Sequence, residues 1–183
     1  TSSTGVYGDH GGDWVDEETP VAATTPKTEV LVEAERVARE SGLDATVVRF
    51  AGLYGPGRYR LERYLDGPVV EGYLNMLHRD DAAGVLRFVL EADPGDAVLL
   101  AADDEPAWKP EFAAWLAEQC GVEPPRAESV DERAAREGLS AAARRRLRTQ
   151  KRCSNARLHE LGYEFAYPTY REGYRPAVEA YPG

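Results

Sequence analysis

The stretch DATVVRFAGLYGPG, residues 44–57, decides the fold. Its run over residues 45–50 is largely apolar, rich in β-branched side chains and without strict alternation, which predicts a strand buried on both faces of a parallel sheet. Upstream, Thr25 and Pro26 read as an N-cap followed by proline at the first helical position, and Gly42 stands where a helix C-cap glycine belongs. A helix, a tight glycine turn and a buried strand make the second half of a βαβ unit.

Helical spacing continues this pattern along the chain. Apolar residues at i, i+1, i+4, i+7 and i+8 predict one stripe on the helix before this strand: Val30, Leu31, Ala34, Val37 and Ala38. Further elements are predicted as helices over residues 79–92, 109–121, 134–148 and 155–161, a buried strand over 96–104, and an irregular segment over 59–77. The stripe of the helix over 79–92 consists of Ala82, Val85, Leu86, Val89 and Leu90. Strands that alternate with helices indicate an α/β protein.

The composition limits the class of protein. The 183 residues, 43% of them hydrophobic, are enough for one sizeable domain or the larger part of one. A formal net charge of −10, from 32 acidic and 22 basic residues, argues against nucleic acid as a partner, because phosphates would be repelled. An acidic chain with few lysines fits either adaptation to high salt, where charge is screened, or a GC-rich genome that encodes arginine in place of lysine.

Membrane and disulfide signals are both weak. No apolar run approaches the roughly 18 residues of a membrane span, and no basic-then-apolar leader opens the chain. We therefore predict no membrane contact and a cytoplasmic location. Cys120 and Cys153 are too few for a disulfide framework, so we interpret them as reduced thiols.

Four segments resemble one family, the extended short-chain dehydrogenases/reductases, which are NAD(P)-dependent sugar epimerases and dehydratases. They are SSTGVYG (2–8), RFAGLYGPGR (49–58), LHRDDAAGVLRFVLE (77–91) and KRCSNARLHELGYEFAYPTYREGY (151–174). The last resembles the tail of an atypical branch of the superfamily. The chain is thus identified as an atypical member of the NAD-dependent epimerase/dehydratase family.

This resemblance implies the architecture and the cofactor. We expect the C-terminal part of a Rossmann-like doubly wound parallel sheet with a small substrate-binding α/β subdomain. Residues 1–56 would hold the final strands and helix of the sheet, and residues 57–183 mainly the subdomain, with 79–102 returning to the sheet. The cofactor would be NAD or NADP, although the G-x-x-G-x-x-G turn that holds its pyrophosphate is not in this sequence. We expect that turn upstream of Thr1, in a longer protein.

The resemblance also assigns site residues. Ser3 takes the catalytic position, where its hydroxyl would polarise a substrate carbonyl or alcohol during hydride transfer; Ser2 and Thr4 are the neighbouring alternatives. The other residues implied are, for the cofactor, Ser2, Phe50, Ala51 and Gly52, and, for the substrate, Tyr54, Arg58 and His78. No metal is expected, because the acidic pair after His78 is explained by helix capping.

One part of the family's active site is missing. The family uses a tyrosine as general acid/base and a lysine four residues later that lowers its pKa. With Glu35 taken as the family's helix glutamate, these positions fall on Lys27 and Leu31. The sequence has no tyrosine between Tyr7 and Tyr54, so a shift of register does not restore the pair. Lys27 would replace the tyrosine only if desolvation lowered its pKa; a solvated lysine is the ordinary interpretation.

Several residues have two interpretations. Tyr7 either shapes the turn after Ser3 or points into the site, and Arg49 either pairs with a carboxylate in the core or faces the pocket; we favour the structural role for both. Arg152 and Asn155 either contact substrate or fix the tail. The basic residues of 144–152 are interpreted as a solvated, salt-bridged face rather than a nucleic-acid site.

Two functions follow from the sequence. The first is an NAD(P)-dependent oxidoreductase or epimerase-like enzyme that acts on a small polar or sugar-like substrate without the Tyr-x-x-x-Lys pair. The second is a non-catalytic NAD(P)-binding sensor or scaffold of the same fold. A homodimer is expected from the family alone.

Overall fold

A computed structural model describes residues 1–95 and 97–182. The strands are β1 Ser2–Ser3, β2 Trp14–Val15, β3 Val47–Phe50, β4 Gly52–Tyr54, β5 Val69–Val70, β6 Tyr73–Leu74, β7 Met76–His78, β8 Val98–Ala101, β9 Ala107–Trp108, β10 Ala127–Glu128 and β11 Arg152–Cys153. The helices are α1 Pro26–Arg39, α2 Glu62–Leu65, α3 Arg79–Ala92, α4 Lys109–Cys120, α5 Val130–Glu137, α6 Ala141–Arg148, α7 Ala156–Glu160 and α8 Tyr170–Glu179. Asp96, where the predicted strand over 96–104 begins, lies outside the described residues.

The central sheet confirms the α/β class. Strands β1, β3 and β8 form a parallel sheet in the order β1-β3-β8. Strand β3 lies in the middle, and Val47 and Val48 on it are buried, as expected for a strand covered on both faces. The chain then passes through a single residue, Ala51, into β4, which pairs in parallel with β7 in a second, two-stranded sheet.

Two hydrophobic cores lie on either side of this junction. The first packs the central sheet against α3 and the tail; it includes Val6, Tyr7, Val48, Leu77, Val85, Leu99, Leu100, Cys153 and Leu158. The second packs β4 and β7 against α4 and α8; it consists of Tyr54, Met76, Ala107, Phe112, Leu116, Tyr170, Tyr174 and Ala177. Strand β8 pairs with β3 in the central sheet. The division into residues 1–56 and 57–183, with 79–102 returning to the sheet, remains a prediction.

A buried ion pair attaches α1 to the sheet. Arg49 on β3 donates from its guanidinium to Glu35 of α1 at 2.7 Å and to the Tyr7 hydroxyl at 2.9 Å. The guanidinium also lies over the Tyr7 ring, 4.9 Å from its centroid. Burial raises the pKa of Glu35, but the Arg49 contacts outweigh it, and the net pKa is lowered. Arg49 therefore has the structural role that the sequence favoured.

The predicted stripe of α1 is wrong. The helix exists and begins at the Thr25 cap, but Val30 and Val37 of the stripe are 68% and 55% exposed. Of the stripe, Leu31 packs against the core, and the inward face is completed by Val32 and Glu35. The pattern was misleading because a charged residue, Glu35, faces the sheet to meet Arg49. On α3 likewise, Leu90 of the predicted stripe is exposed.

Other predicted elements need correction. The single charged helix over 134–148 is two helices, because Gly138 takes a left-handed conformation (φ 62°) that ends α5 and Ser140 caps α6. The segment over 59–77 is not irregular: it contains α2 and the strands β5, β6 and the first residues of β7. The tyrosine-rich tail contains α8, which begins with a capping box of Thr169 and Glu172.

Replacing Glu35 by alanine should destabilise the fold strongly. Arg49 would then be left buried without its carboxylate, and the free energy of unfolding should fall by about 3–5 kcal/mol, measured by urea denaturation. Glu33→Ala is the matched control, since Glu33 pairs with Arg36 on the exposed face of the same helix; it should change stability by less than about 0.5 kcal/mol. Equal losses in the two variants would contradict the role of the buried pair.

Candidate functional site

The candidate site lies at the carboxyl edge of the central sheet. In the register of the three strands, Ser3 is opposite Phe50, and Phe50 is opposite Ala101. Ligands of parallel α/β sheets bind outside the carboxyl ends of the strands. The structure thus brings together Ser3 and residues 50–52, which the resemblance assigned to one active site.

Ser3 ends β1 and begins a 3-10 turn over Thr4–Tyr7. Its backbone is extended (φ −142°), and its hydroxyl oxygen accepts a hydrogen bond from the Gly5 amide at 3.1 Å. Accepting this bond leaves the hydroxyl hydrogen available for donation. The local turn therefore fixes the oxygen of Ser3 while leaving it able to donate to a reacting oxygen.

Ser2 points away from Ser3, because successive side chains of a strand lie on opposite faces of the sheet. Ser2 is opposite Arg49 in the register, on the α1 side. Its hydroxyl is buried and has no hydrogen-bond partner among the described residues. Its cofactor-binding role stays a prediction, and Ser2 and Ser3 do not share one face.

Lys27 and Leu31 stand at the two positions that the resemblance assigned to the acid/base pair. Lys27 is exposed at the start of α1, and Leu31 packs against the first core. Tyr7 is fully buried, and burial raises the pKa of its phenol to about 12, against the lowering effect of Arg49. The phenol of Tyr7 is therefore held by Arg49 and keeps its proton at neutral pH.

Lys151 is a basic residue at the site that sequence reasoning did not single out. Its ammonium is buried and donates to the Gly8 carbonyl at 3.2 Å. Gly8 closes the turn that Ser3 begins, with its amide bonded to the Gly5 carbonyl. Burial lowers the pKa of Lys151, although Cys153 and Asp9 oppose the shift. The available signal was the scarcity of lysine in this chain and the position of Lys151 in the branch-specific tail.

A cavity of about 210 Å³ begins next to the sheet edge. Two of the residues predicted to bind substrate, Tyr54 and Arg58, line it, and so does Gly52. Arg58 is held by a hydrogen bond from its Nε to the Leu53 carbonyl at 2.9 Å. Gly52 thus belongs both to the segment assigned to the cofactor and to the wall of this cavity.

His78 does not line this cavity. It is 1% exposed, and its Nδ1 accepts from the Asp80 amide at 3.3 Å as the N-cap of α3. Its ring meets Tyr54 edge-on at 5.4 Å between centroids and lies 3.8 Å from that of Tyr167. Burial lowers the pKa of His78, against the raising effect of Asp80 and Asp81. The His78 ring thus packs against Tyr54 in the interior. Its substrate-binding role stays a prediction.

The tail residues act as structural ties. The Arg152 guanidinium lies over the rings of Trp14 and Tyr73, at 5.1 and 5.3 Å, and its Nε donates to the Gly12 carbonyl at 2.7 Å. Asn155 donates to the Ala102 carbonyl at 3.2 Å, directly after β8 of the central sheet. These contacts favour the interpretation that both residues fix the tail.

The charged groups elsewhere in the described part of the chain are arranged as a surface and not as a metal site. In the basic segment, Arg148 pairs with Asp131 at 2.6 Å, as expected for a salt-bridged face. Within residues 1–95 and 97–182, no group of three or more His, Cys, Asp or Glu side chains is arranged to hold a metal ion. The helices of this described part include none with the length and apolar character needed to cross a membrane.

The fold and the edge site define a Rossmann-like α/β protein of the short-chain dehydrogenase/reductase type. No family model matches the chain. Among curated proteins it is 32% identical to Protein YeeZ of Escherichia coli over 173 residues, covering 92% of this chain, and 30% identical to a 3-diazoavenalumate denitrifying reductase of a Streptomyces species over 181 residues, covering 87%. The chain spans 57% of the length of each of these relatives.

Solved structures agree with this class. A conserved protein of unknown function from Silicibacter pomeroyi has a TM-score of 0.83 and 33% identity, covering 100% of this chain and 65% of its own. A protein from Methylobacillus flagellatus assigned as an NAD-dependent epimerase/dehydratase has a TM-score of 0.74 and 30% identity, with coverage of 98% and 62%. The human epimerase family protein SDR39U1 with NADPH, at 20% identity and a TM-score of 0.79 over 98% of this chain and 64% of its own, shares the fold.

These relatives confirm the resemblance drawn from the sequence: the structural relatives of the chain are NAD-dependent epimerase/dehydratase and short-chain dehydrogenase/reductase proteins.

Replacing Asp103 by asparagine should stabilise the protein increasingly as the pH rises. Asp103 follows β8, is 1% exposed, and neither carboxyl oxygen has a hydrogen-bond partner among the described residues. Burial raises its pKa well above the ordinary value, so the folded state holds the proton more tightly than the unfolded chain. The unfolding free energy therefore falls as the pH rises above about 4.

Asp103→Asn removes this pH-dependent loss of stability. The free energy of unfolding of the variant should exceed that of the parent by roughly 1–3 kcal/mol at pH 7, and the difference should vanish near pH 3. Urea denaturation of the parent and the variant across this range measures the difference. Asp66→Asn, at an exposed carboxylate, should show no such trend. A constant difference between parent and Asp103→Asn at all pH values would refute the assignment.

Proposed function

We propose that the protein is an NAD(P)-dependent oxidoreductase or epimerase-like enzyme that acts on a small polar or sugar-like substrate. The observation that carries this proposal is the convergence of Ser3, residues 50–52 and the cavity beside Tyr54 at one edge of a parallel sheet. Such an edge is where α/β folds hold a dinucleotide and its substrate.

The residues present suit a nicotinamide ring at residues 50–52. Gly52 and Leu53 are exposed beside the sheet edge, so a residue without a side chain and an apolar residue are both accessible there. A Cβ at Gly52 would approach the Asn75 carbonyl oxygen to 3.1 Å, so any larger residue there would require the neighbouring backbone to shift by a few tenths of an ångström. The nicotinamide, when bound, supplies the hydride acceptor or donor.

The chain's own residues bind and orient the substrate. Ser3 donates a hydrogen bond to the reacting oxygen and polarises it, which stabilises charge that develops there. Tyr54 and Arg58 hold the substrate in the cavity. Because Lys27 is solvated and Leu31 is apolar, the proton is transferred by water or by a group outside the Tyr-x-x-x-Lys route.

One relative supports reductase chemistry without a sugar. The Streptomyces relative is a 3-diazoavenalumate denitrifying reductase, and the substrate in its name is not a sugar nucleotide. Our proposal therefore covers small polar substrates in general and is not restricted to sugars. A homodimer and a cytoplasmic location remain predictions from the sequence.

A non-catalytic NAD(P)-binding sensor or scaffold is the second candidate. The observation that favours it is the position of Lys27 and Leu31, which replace the acid/base pair with a solvated and a packed side chain. In this case the site would bind a dinucleotide and turn over no substrate.

Ser3→Ala in the intact protein tests the enzyme proposal. A panel of carbonyl compounds and sugar nucleotides is first screened for NAD(P)H-dependent turnover. For any active substrate, Ser3→Ala should lower kcat/KM by about 10²–10³-fold, as expected for the loss of one donor to a developing negative charge, while Ser3→Thr should keep most of the activity. Ser41→Ala, beyond the end of α1, is the control and should change nothing.

Two results would decide against parts of this proposal. Unchanged kcat/KM in Ser3→Ala would remove Ser3 from the mechanism. Tight NAD(P)H binding, followed by fluorescence, without turnover of any panel compound would favour the sensor or scaffold.

A further inference from the structure

Three arginines without a carboxylate partner among the described residues lie together at one cavity of this acidic chain. Most arginines of the described part pair with a carboxylate, among them Arg36, Arg49, Arg87, Arg133, Arg136, Arg148 and Arg171. Arg58, Arg60 and Arg63 form no ion pair with any described residue, and all three line the 210 Å³ cavity. Its recorded lining contains no Asp or Glu. In a chain of net charge −10, this cavity is a local concentration of positive charge.

Arg58, Arg60 and Arg63 are exposed, and the charges of Arg60 and Arg63 influence buried groups next to them. The pKa of Tyr174 is raised by burial, and Arg63 and Arg60 oppose that shift. Burial lowers the pKa of Lys109, and Arg63 and Arg133 lower it further. Lys109 is thus a further cation near Arg63 with no described carboxylate partner. An anion that entered the cavity would be stabilised by these groups.

The rest of the wall is aromatic and apolar. Tyr54 and Tyr174 are stacked with their ring centroids 4.8 Å apart, and Tyr59 lies against both. Tyr59 and Tyr64 are only partly buried and line the cavity. The remaining lining includes Leu53, Leu74 and Met76. Such a wall accepts a flat ring, while the arginines accept an acid group in their fork-shaped donor array.

The size of the cavity limits the ligand further. Sites for drug-sized ligands occupy roughly 300–1,000 Å³, so a volume of about 210 Å³ is suited to one ring with its acid group. A neighbouring cavity of about 540 Å³ shares Arg58, Tyr59 and Arg60, but its wall also carries Glu62 and Asp66. Those carboxylates repel an anion, so the smaller cavity is the better anion site.

We propose that this cavity binds the carboxylate of a small, single-ring aromatic acid, with Arg60 and Arg63 on the carboxylate and the tyrosines around the ring. This inference rests on the proposed function, since it names the substrate class of the same site. Gly52 joins the cavity to the sheet edge, so the far side of such a substrate would face the cofactor segment.

Direct binding to the intact protein without any nicotinamide tests the proposal. Calorimetric titration compares 4-hydroxybenzoate with its methyl ester, acetate, inorganic phosphate and UDP-glucose. The aromatic acid should bind at least 10-fold more tightly than each of the others. Arg60→Gln and Arg63→Gln should each weaken its binding by about 10-fold or more, the loss expected for a charge-assisted pair.

Arg87→Gln is the matched control, because Arg87 pairs with Glu91 on the exposed face of α3; it should leave binding unchanged. Arg60 has a positive φ of 54°. If Arg60→Gln fails to fold by circular dichroism, Arg60→Asn replaces it, since asparagine tolerates that conformation.

Each contrary outcome overturns the proposal. If 4-hydroxybenzoate and its methyl ester bind equally well, the cavity is not an anion site. If acetate or phosphate binds as tightly as 4-hydroxybenzoate, the cavity binds anions without specificity for an aromatic ring. If UDP-glucose binds more tightly than 4-hydroxybenzoate, the cavity is a sugar-nucleotide site. No binding of any probe, or full binding by both arginine variants, would also refute it. Aromatic acid binding without turnover would instead count against the proposed enzyme alone, and turnover of neutral carbonyls alone would count against this inference alone.

Discussion

The buried contact between Arg49 and Glu35 is the interaction on which the rest of the structure depends. It joins the middle strand of the central sheet to α1, and through the Tyr7 hydroxyl it also reaches the turn that begins at Ser3. A buried ion pair is costly to form and costly to break by the removal of one partner. The same three side chains therefore set the position of a helix, a strand and the candidate catalytic turn.

The sequence predicted the class of fold well because the class depends on local patterns. The buried β3 run, the Thr25-Pro26 cap and the Gly121 stop of α4 are short-range signals, and the structure contains them all. The alignment of Ser3 with Phe50 follows from parallel pairing of neighbouring strands. The roles of these residues in chemistry remain predictions.

Tertiary contacts explain what the sequence did not predict. The apolar stripe of α1 faces outward because the helix turns its charged residue, Glu35, toward Arg49. The two-residue strands β5, β6 and β11 are held by partners distant in the sequence, so they leave no periodic pattern of their own. The sequence likewise does not indicate that Lys151 and Asp103 are buried, since neither residue type normally lies in a core. The break at Gly138 and the Thr169 capping box, by contrast, were local signals that could have been recognised.

Ala51 separates the two halves of the site by a single residue. Before it, Phe50 belongs to the sheet that would hold the cofactor. After it, Gly52 belongs to the wall of the 210 Å³ cavity that Arg58, Arg60 and Arg63 line. If the proposed reaction takes place here, its two parts are spaced by covalent geometry, with no flexible linker between them. Substitutions in the wall beyond Gly52 would then change the substrate-binding side chains without changing the backbone of β3. This division would allow relatives with similar folds to diverge in chemistry through a few side chains.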